Sequence, residues 1–390
     1  MSYHLSNSTS SGLEWMEELF SENKQISSFL VQNYSLSFLT SPLSVEETLS
    51  QVQYQSDDDY ESVGFNNLHL RTLNEGVWRN IRTIVESEFD GTTSLLKGHV
   101  TDSVYNIAFQ GLRPVLENTL NEFLDIFDDY NPSTNIISHM IVGGLLSPLE
   151  LVKTRIIVES SLSTRKTYYN CIHAISSIPS EENSFFFVLF SPRLLIPALV
   201  VNAINPLVTY FSNNLFEAEL DITSTYTPFL YKIASIIAIG IKVAITTPID
   251  MARKRLMIQK INKTNNQIEN TLLIKETCVQ VSPVYYNGIF DCIKKVIFEE
   301  GRIKKRKRNL KNIQKETTFV YTNFSTHSSP NEGASNDTAN TIRAERRRGF
   351  RQYWAGVKSL YRGFWSRYII EVLRYLLKEL DDDIMDDLKN

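Results

Sequence analysis

SPLELVKTRIIVES at residues 147–160 and TPIDMARKRLMIQK at residues 247–260 begin one hundred positions apart. Both read hydroxyl, proline, any residue, acid, two residues, base, any residue, arginine. Each closes an apolar stretch of membrane length, 135–158 and 227–248. YYNCIHAI (168–175) follows the first and YYNGIFDCIKKVIFEEG (285–301) follows the second. A proline, a carboxylate, two bases and a trailing Tyr-Tyr-Asn recurring in order mark an internal repeat, and a repeat has to be found before any other fold reasoning is safe.

A fainter copy lies upstream. SPLSVEETLSQ (41–51) stands where the motif belongs, so that Pro42, Pro148 and Pro248 are spaced about a hundred residues apart. WRNIRTIVESEFDG (78–91) and LLKG (95–98) follow it, and the family resemblance given below implies that they are a surface helix, an acid-glycine turn and the start of the next helix. In the third copy EEG (299–301) and SLYRGFWSRYIIEVLRYLL (359–377) follow the motif, and the same resemblance implies that they are the acid-glycine turn, with Gly301, and the start of the closing helix, with Gly363.

Apolar stretches occur at 26–41, 103–127, 135–158, 185–211, 227–248 and, interrupted by charge, 357–380. The clearest, FFFVLFSPRLLIPALVVNAINPLVTYF, runs 27 residues with Arg193 as its one formal charge, which suits a bilayer crossing. Its three prolines would break a soluble helix, whereas neighbouring helices in a bundle re-satisfy the freed backbone groups. The expected fold is therefore all-α: a membrane bundle of three degenerate two-helix repeats, five or six transmembrane helices in all, with short amphipathic surface helices. Expected boundaries are a polar N-terminal tail at 1–25, repeats at 26–127, 133–211 and 227–380, and an acidic tail at 381–390. The third repeat is interrupted at about 302–352 by a Lys-, Arg-, Ser-, Asn- and Thr-rich insertion whose composition cannot form a packed core.

Composition excludes several function classes. A net charge of -4 gives no whole-chain footprint for nucleic acid, despite the basic run Lys304, Lys305, Arg306, Lys307 and Arg308. That run suits anionic lipid headgroups, at about 1 kcal/mol per basic residue near the surface. Three cysteines without a CxxC pair, and scattered histidines, support neither a disulfide framework nor a metal site. No nucleophile motif or glycine-rich nucleotide loop is present, so an enzyme and a bound cofactor are not expected. The first arginine is Arg71, which argues against a cleavable Arg-rich presequence. Arg193 and Arg367 fall inside membrane-depth stretches, where an ionisable group is by default a functional candidate.

The repeated motif resembles that of the mitochondrial carrier family, whose odd helices end in P-x-[DE]-x-x-[KR]-x-[KR]. The resemblance implies that Pro42, Pro148 and Pro248 kink the odd helices, and that acid and base at i and i+3 form a ring of three interhelical salt bridges. Glu150 with Lys153 and Asp250 with Arg253 fill these places, with Arg155 and Arg255 as the second bases, but the first repeat has Ser44 for the acid and Glu47 for the base. At most one bridge of three can then survive, and the motif residues are expected to shape the bundle and bind no solute. The family's opposite gate, [FY]-[DE]-x-x-[KR], has no complete copy: Phe127-Asp128 is followed by Asn131, and Tyr375 by Leu376.

With degraded gates, an acidic balance, a polar N-terminal extension and a basic loop before the last helix, the chain looks most like the fungal Ugo family of modified carriers. That resemblance implies a multi-pass protein of the mitochondrial outer membrane, a non-transporting adaptor in membrane fusion. Its implied partners are the outer-membrane fusion GTPase and the inner-membrane dynamin-related GTPase, with a second copy of the chain as a further candidate. The rival expectation is a divergent solute carrier.

Overall fold

The computed structural model of the protein describes residues 6–54, 70, 73, 75–88, 90–124, 131–160, 168, 171–181, 190–216, 227–259, 277–282, 285–300 and 353–389. Among these it is a bundle of helices without a named strand. The helices are α1 (Ser6–Val52), α2 (Val77–Ser87), α3 (His99–Phe123), α4 (Pro132–Leu145), α5 (Ser147–Val158), α6 (Cys171–Glu181), α7 (Pro192–Asn214), α8 (Pro228–Ile258), α9 (Ile289–Lys295) and α10 (Phe364–Lys389). A turn of π-helix (Val296–Glu300) extends α9, and a short helix occupies 353–359. Long helices pack in a closed circuit: α1 against α3, α3 against α4, α4 against α7, α7 against α8, α8 against α10, and α10 back against α1. Three helix pairs in a ring are the three repeats.

What makes this a membrane bundle is the inverted polarity of its helices. On α1 Asn33, Ser37, Thr40, Ser44, Thr48 and Gln51 form a buried polar stripe at helical spacing, joined near the C-terminal end by buried Leu43, Val45, Leu49 and Val52, while Ile26, Leu30, Tyr34 and Phe38 face outward. α8 exposes Phe229, Ile233, Ile237, Ile241 and Ile245 at every fourth residue. In water this stripe would have to be covered; in lipid it is the outer wall. Two helices, Pro192–Asn214 and Pro228–Ile258, are apolar enough over an 18-residue window to cross a bilayer on composition alone. The proline break leaves α4 and α5 at 14 and 12 residues, each below that length, while α1, α3 and α10 are long enough but too rich in polar and charged side chains.

The motif prolines act differently in different repeats. Pro148 breaks its helix, separating α4 from α5 at Leu146. Pro42 and Pro248 sit inside continuous α1 and α8. The local sequence explains this: Gly143 and Gly144 precede the break and lower helix propensity. Near the unbroken prolines Thr40 and Thr247 donate to the carbonyls of Leu36 and Val243, at 2.9 and 2.6 Å.

Gly98 and Gly363 take up the left-handed conformation directly before α3 and α10, at φ 76 and 73°, which is why glycine recurs where the closing helices of the first and third repeats begin. α2, with Trp78 exposed and Ile84 buried, lies at the same end of the bundle as the odd-helix C-termini. α1 spans 47 residues, roughly 70 Å at 1.5 Å per residue, more than twice a bilayer core. Its helix continues into the segment read as a polar tail, and α10 likewise runs into the acidic tail as far as Lys389. The insertion at 302–352, with Lys304, Lys305, Arg306, Lys307 and Arg308, and also Gly301, Phe127 and Asp128, lie outside the described residues.

Candidate functional site

The C-terminal thirds of α1 and α8 and the N-terminal part of α5 converge with α3, α7 and α10 on a central cavity of about 250 Å³. Its described lining carries five carboxylates (Glu47, Asp102, Glu150, Asp250, Glu371) and five bases (Lys153, Arg253, Lys254, Arg367, Arg374).

One ring bridge is intact: Glu150 on α5 pairs with Arg253 on α8. That pairing fixes the direction of the ring, so Lys153 should meet Ser44 and Asp250 should meet Glu47. Both broken places have been rewired. Lys153 turns to Asp102 on α3, at 2.6 Å. Lys254, the residue after the motif base, reaches into the gap between the two carboxylates, 2.7 Å from Glu47 and 3.3 Å from Asp250. Arg367 on α10 adds a second cation to Asp250, at 2.8 Å. Glu371 is held by Lys242 at 2.8 Å and Arg374 at 3.4 Å, and Arg374 also approaches Asp102 at 3.9 Å. These links tie α1 to α8, α3 to α5, α5 to α8, α8 to α10 and α3 to α10 across the cavity. Removing one partner from a poorly solvated pair strands the other, so the network resists piecemeal opening.

The second motif bases do a different job. Arg155 and Arg255 are fully buried. Arg155 Nε donates to the carbonyl of Met257 at 3.0 Å, and Arg255 Nε to that of Gln51 at 2.9 Å. Each thus satisfies an orphan carbonyl at the end of the next odd helix. Arg255 also pairs with Glu300, which is shared with Arg362 at 2.8 Å. The third place in this set is Leu49, which packs with Ile157 and Val158 instead.

Sequence reasoning missed Asp102, Lys254, Glu371 and Arg374, and each partner it missed is far away along the chain or adjacent to a motif position. A signal existed for one: the triple base of MARKRL makes Lys254 a third cation beside the motif pair. Of the two membrane-depth arginines, Arg367 is in the network. Arg193 lies at the first turn of α7, its guanidinium 4.7 Å from the ring centre of Tyr285, and belongs to the bundle end.

Residues 224–329 match the family model of the mitochondrial carrier protein. The matched segment holds α8, its motif and α9, and it supports the mitochondrial carrier family, and with it a mitochondrial membrane, for this chain. No curated protein matches the chain. The matched segment thus includes the third repeat's motif, one of the two that are complete. No group of three or more potential metal ligands occurs among the described residues.

Proposed function

We propose that the protein is a non-transporting, carrier-like adaptor of the mitochondrial outer membrane that acts in membrane fusion by linking the outer- and inner-membrane fusion GTPases. The observation that carries the non-transporting half is that all ten charges lining the cavity are engaged with one another. A carrier exchanges two gates of similar energy, and each must open as the other closes. Here pairs between odd helices alone are in the minority, and the other interhelical pairs bind odd helices to α3 and α10 or α3 to α10. A charged metabolite would have to displace internal partners to be recognised. The fusion role and the two GTPase partners rest on the resemblance to the Ugo family.

A divergent solute carrier is the second reading, favoured by the polar cavity itself, with Asn202, Asn205, Asn106 and Tyr105 on its wall. Two measurements separate the readings. Crosslinking and co-purification of the tagged protein from gently solubilised mitochondria, with protease shaving of intact organelles, should recover large GTPases with an outer-membrane protein. Residence in the inner membrane without such partners would sink the adaptor. Saturable uptake into proteoliposomes that is lost in Glu150→Gln and Asp250→Asn would establish the carrier.

A further inference from the structure

Below the charge network, the bundle end is crossed by a strap, residues 277–282, that arrives after α8 and ties the three repeats together by backbone hydrogen bonds. Cys278 N donates to the carbonyl of Val158 at the end of α5, at 2.9 Å. Leu70 N donates to the carbonyl of Cys278, and Tyr54 N, just past α1, to that of Gln280, each at 2.8 Å. Thr277 forms a bridge with Glu159, and its hydroxyl turns back to the carbonyl of Val279 at 2.8 Å. Cys278 and Val279 belong to an apolar cluster drawn from every repeat, with Val45, Leu49 and Val52 of α1, Ile157 and Val158 of α5, and Ile258 of α8. The motif ring lies at one level and this seal at another, so opening the ring alone leaves the end closed.

We propose that the strap is a bolt: its seating, not the salt-bridge ring, holds this end of the bundle shut, and it can leave without the bundle unfolding. The physical basis is the difference in what each release costs. Strap release breaks a few backbone hydrogen bonds and exposes a handful of apolar side chains at an end of the molecule, the kind of local opening that lies well below global unfolding. The inference concerns how the repeats are held and stands apart from the fusion role.

The protein carries its own reporters. Cys278 is in the strap, and Cys292 is buried in a separate cluster between α8 and α9, with Met251, Leu256 and Tyr286. Burial pushes both thiols up to about 12, so their seated chemistry is matched and a difference in labelling reads exposure. The experiment is N-ethylmaleimide labelling of the full chain in reconstituted membranes, with peptide mass spectrometry resolving each cysteine. In the unaltered protein Cys278 is expected to label at least tenfold faster than Cys292; equal rates would show that the strap opens only by unfolding and would overturn the proposal. Val279→Asp, which places a carboxylate in the seal, should raise Cys278 labelling at least a further tenfold with Cys292 unchanged. Should that variant expose both thiols, the comparison in the unaltered protein decides. Glu150→Gln, which breaks the surviving ring bridge, should leave the Cys278 rate where it was; a tenfold rise there would make the ring the bolt and refute the assignment.

Discussion

Replacing Lys254 by methionine keeps the stem that packs along α8 and removes only the ammonium. Glu47 then loses its one cation within 2.7 Å, keeping Gln51 Nε2 at 3.3 Å, while Asp250 retains Arg367 at 2.8 Å. Leaving a buried carboxylate without its partner costs about 3–5 kcal/mol, and the side chains here are 15% and 9% exposed facing a polar cavity, which points to the lower end. At about 2 °C per kcal/mol for a chain of this size, the midpoint of thermal unfolding should fall by roughly 6 °C. Glu47→Gln alone keeps Lys254 on Asp250 and should cost about 1 kcal/mol, the scale of one hydrogen bond. Combined with Lys254→Met it removes the stranded charge, so the double variant should recover at least half of the loss, a coupling of about 2.5 kcal/mol. The assay is tryptophan fluorescence of the detergent-solubilised full chain on heating, with circular dichroism to verify helix content. A fall under about 2 °C, or no recovery in the double variant, would refute the idea that Lys254 replaces the missing motif base.

Other perturbations probe different levels of the structure. Glu300→Gln leaves Arg255 and Arg362 facing each other without their shared carboxylate, and should destabilise by about 3–5 kcal/mol in the same thermal assay. Gly356→Ala would place its Cβ 2.1 Å from the backbone carbonyl of Ile297, which cannot rotate away, whereas Gly143→Ala meets the side chain of Asn202, which can. The first should cost more than the second, against the usual 1–3 kcal/mol for overpacking, and the reverse order would be evidence against this packing. For Cys278 the sign with pH follows from its thiol being raised to about 12 by burial, against about 8.5 when free. Between those values the unfolded chain has released its proton and the folded chain has not, so stability falls as pH rises, by about 2 kcal/mol at pH 10. Thermal midpoints of Cys278→Ala should therefore decline less steeply from pH 8 to pH 10 than those of the unaltered protein, and parallel slopes would show that the thiol is not seated.

Much of the architecture could be read from the chain because it is local. The proline motif, the apolar runs at membrane length and the glycine before the first and third closing helices are short-range patterns that recur, and recurrence separates them from chance. The charged sixth stretch, doubtful on hydropathy, is α10, and its arginines and Glu371 are charged because they face the cavity. Ser44 and Glu47 showed in advance that two of the three ring positions were spoiled. What replaced them was not visible, because Asp102 and Lys153 are 51 residues apart and Glu47 and Lys254 207 apart, with no periodicity to connect them. The strap escaped for the same reason: residues 277–282 have no helical pattern, and their backbone partners at Tyr54, Leu70 and Val158 belong to other repeats. The sequence by itself determined the number of repeats, their helices and which family positions were lost. Tertiary structure decided how the orphaned charges pair and what closes the bundle end, since Coulomb attraction and burial act between neighbours in space, whatever their separation along the chain.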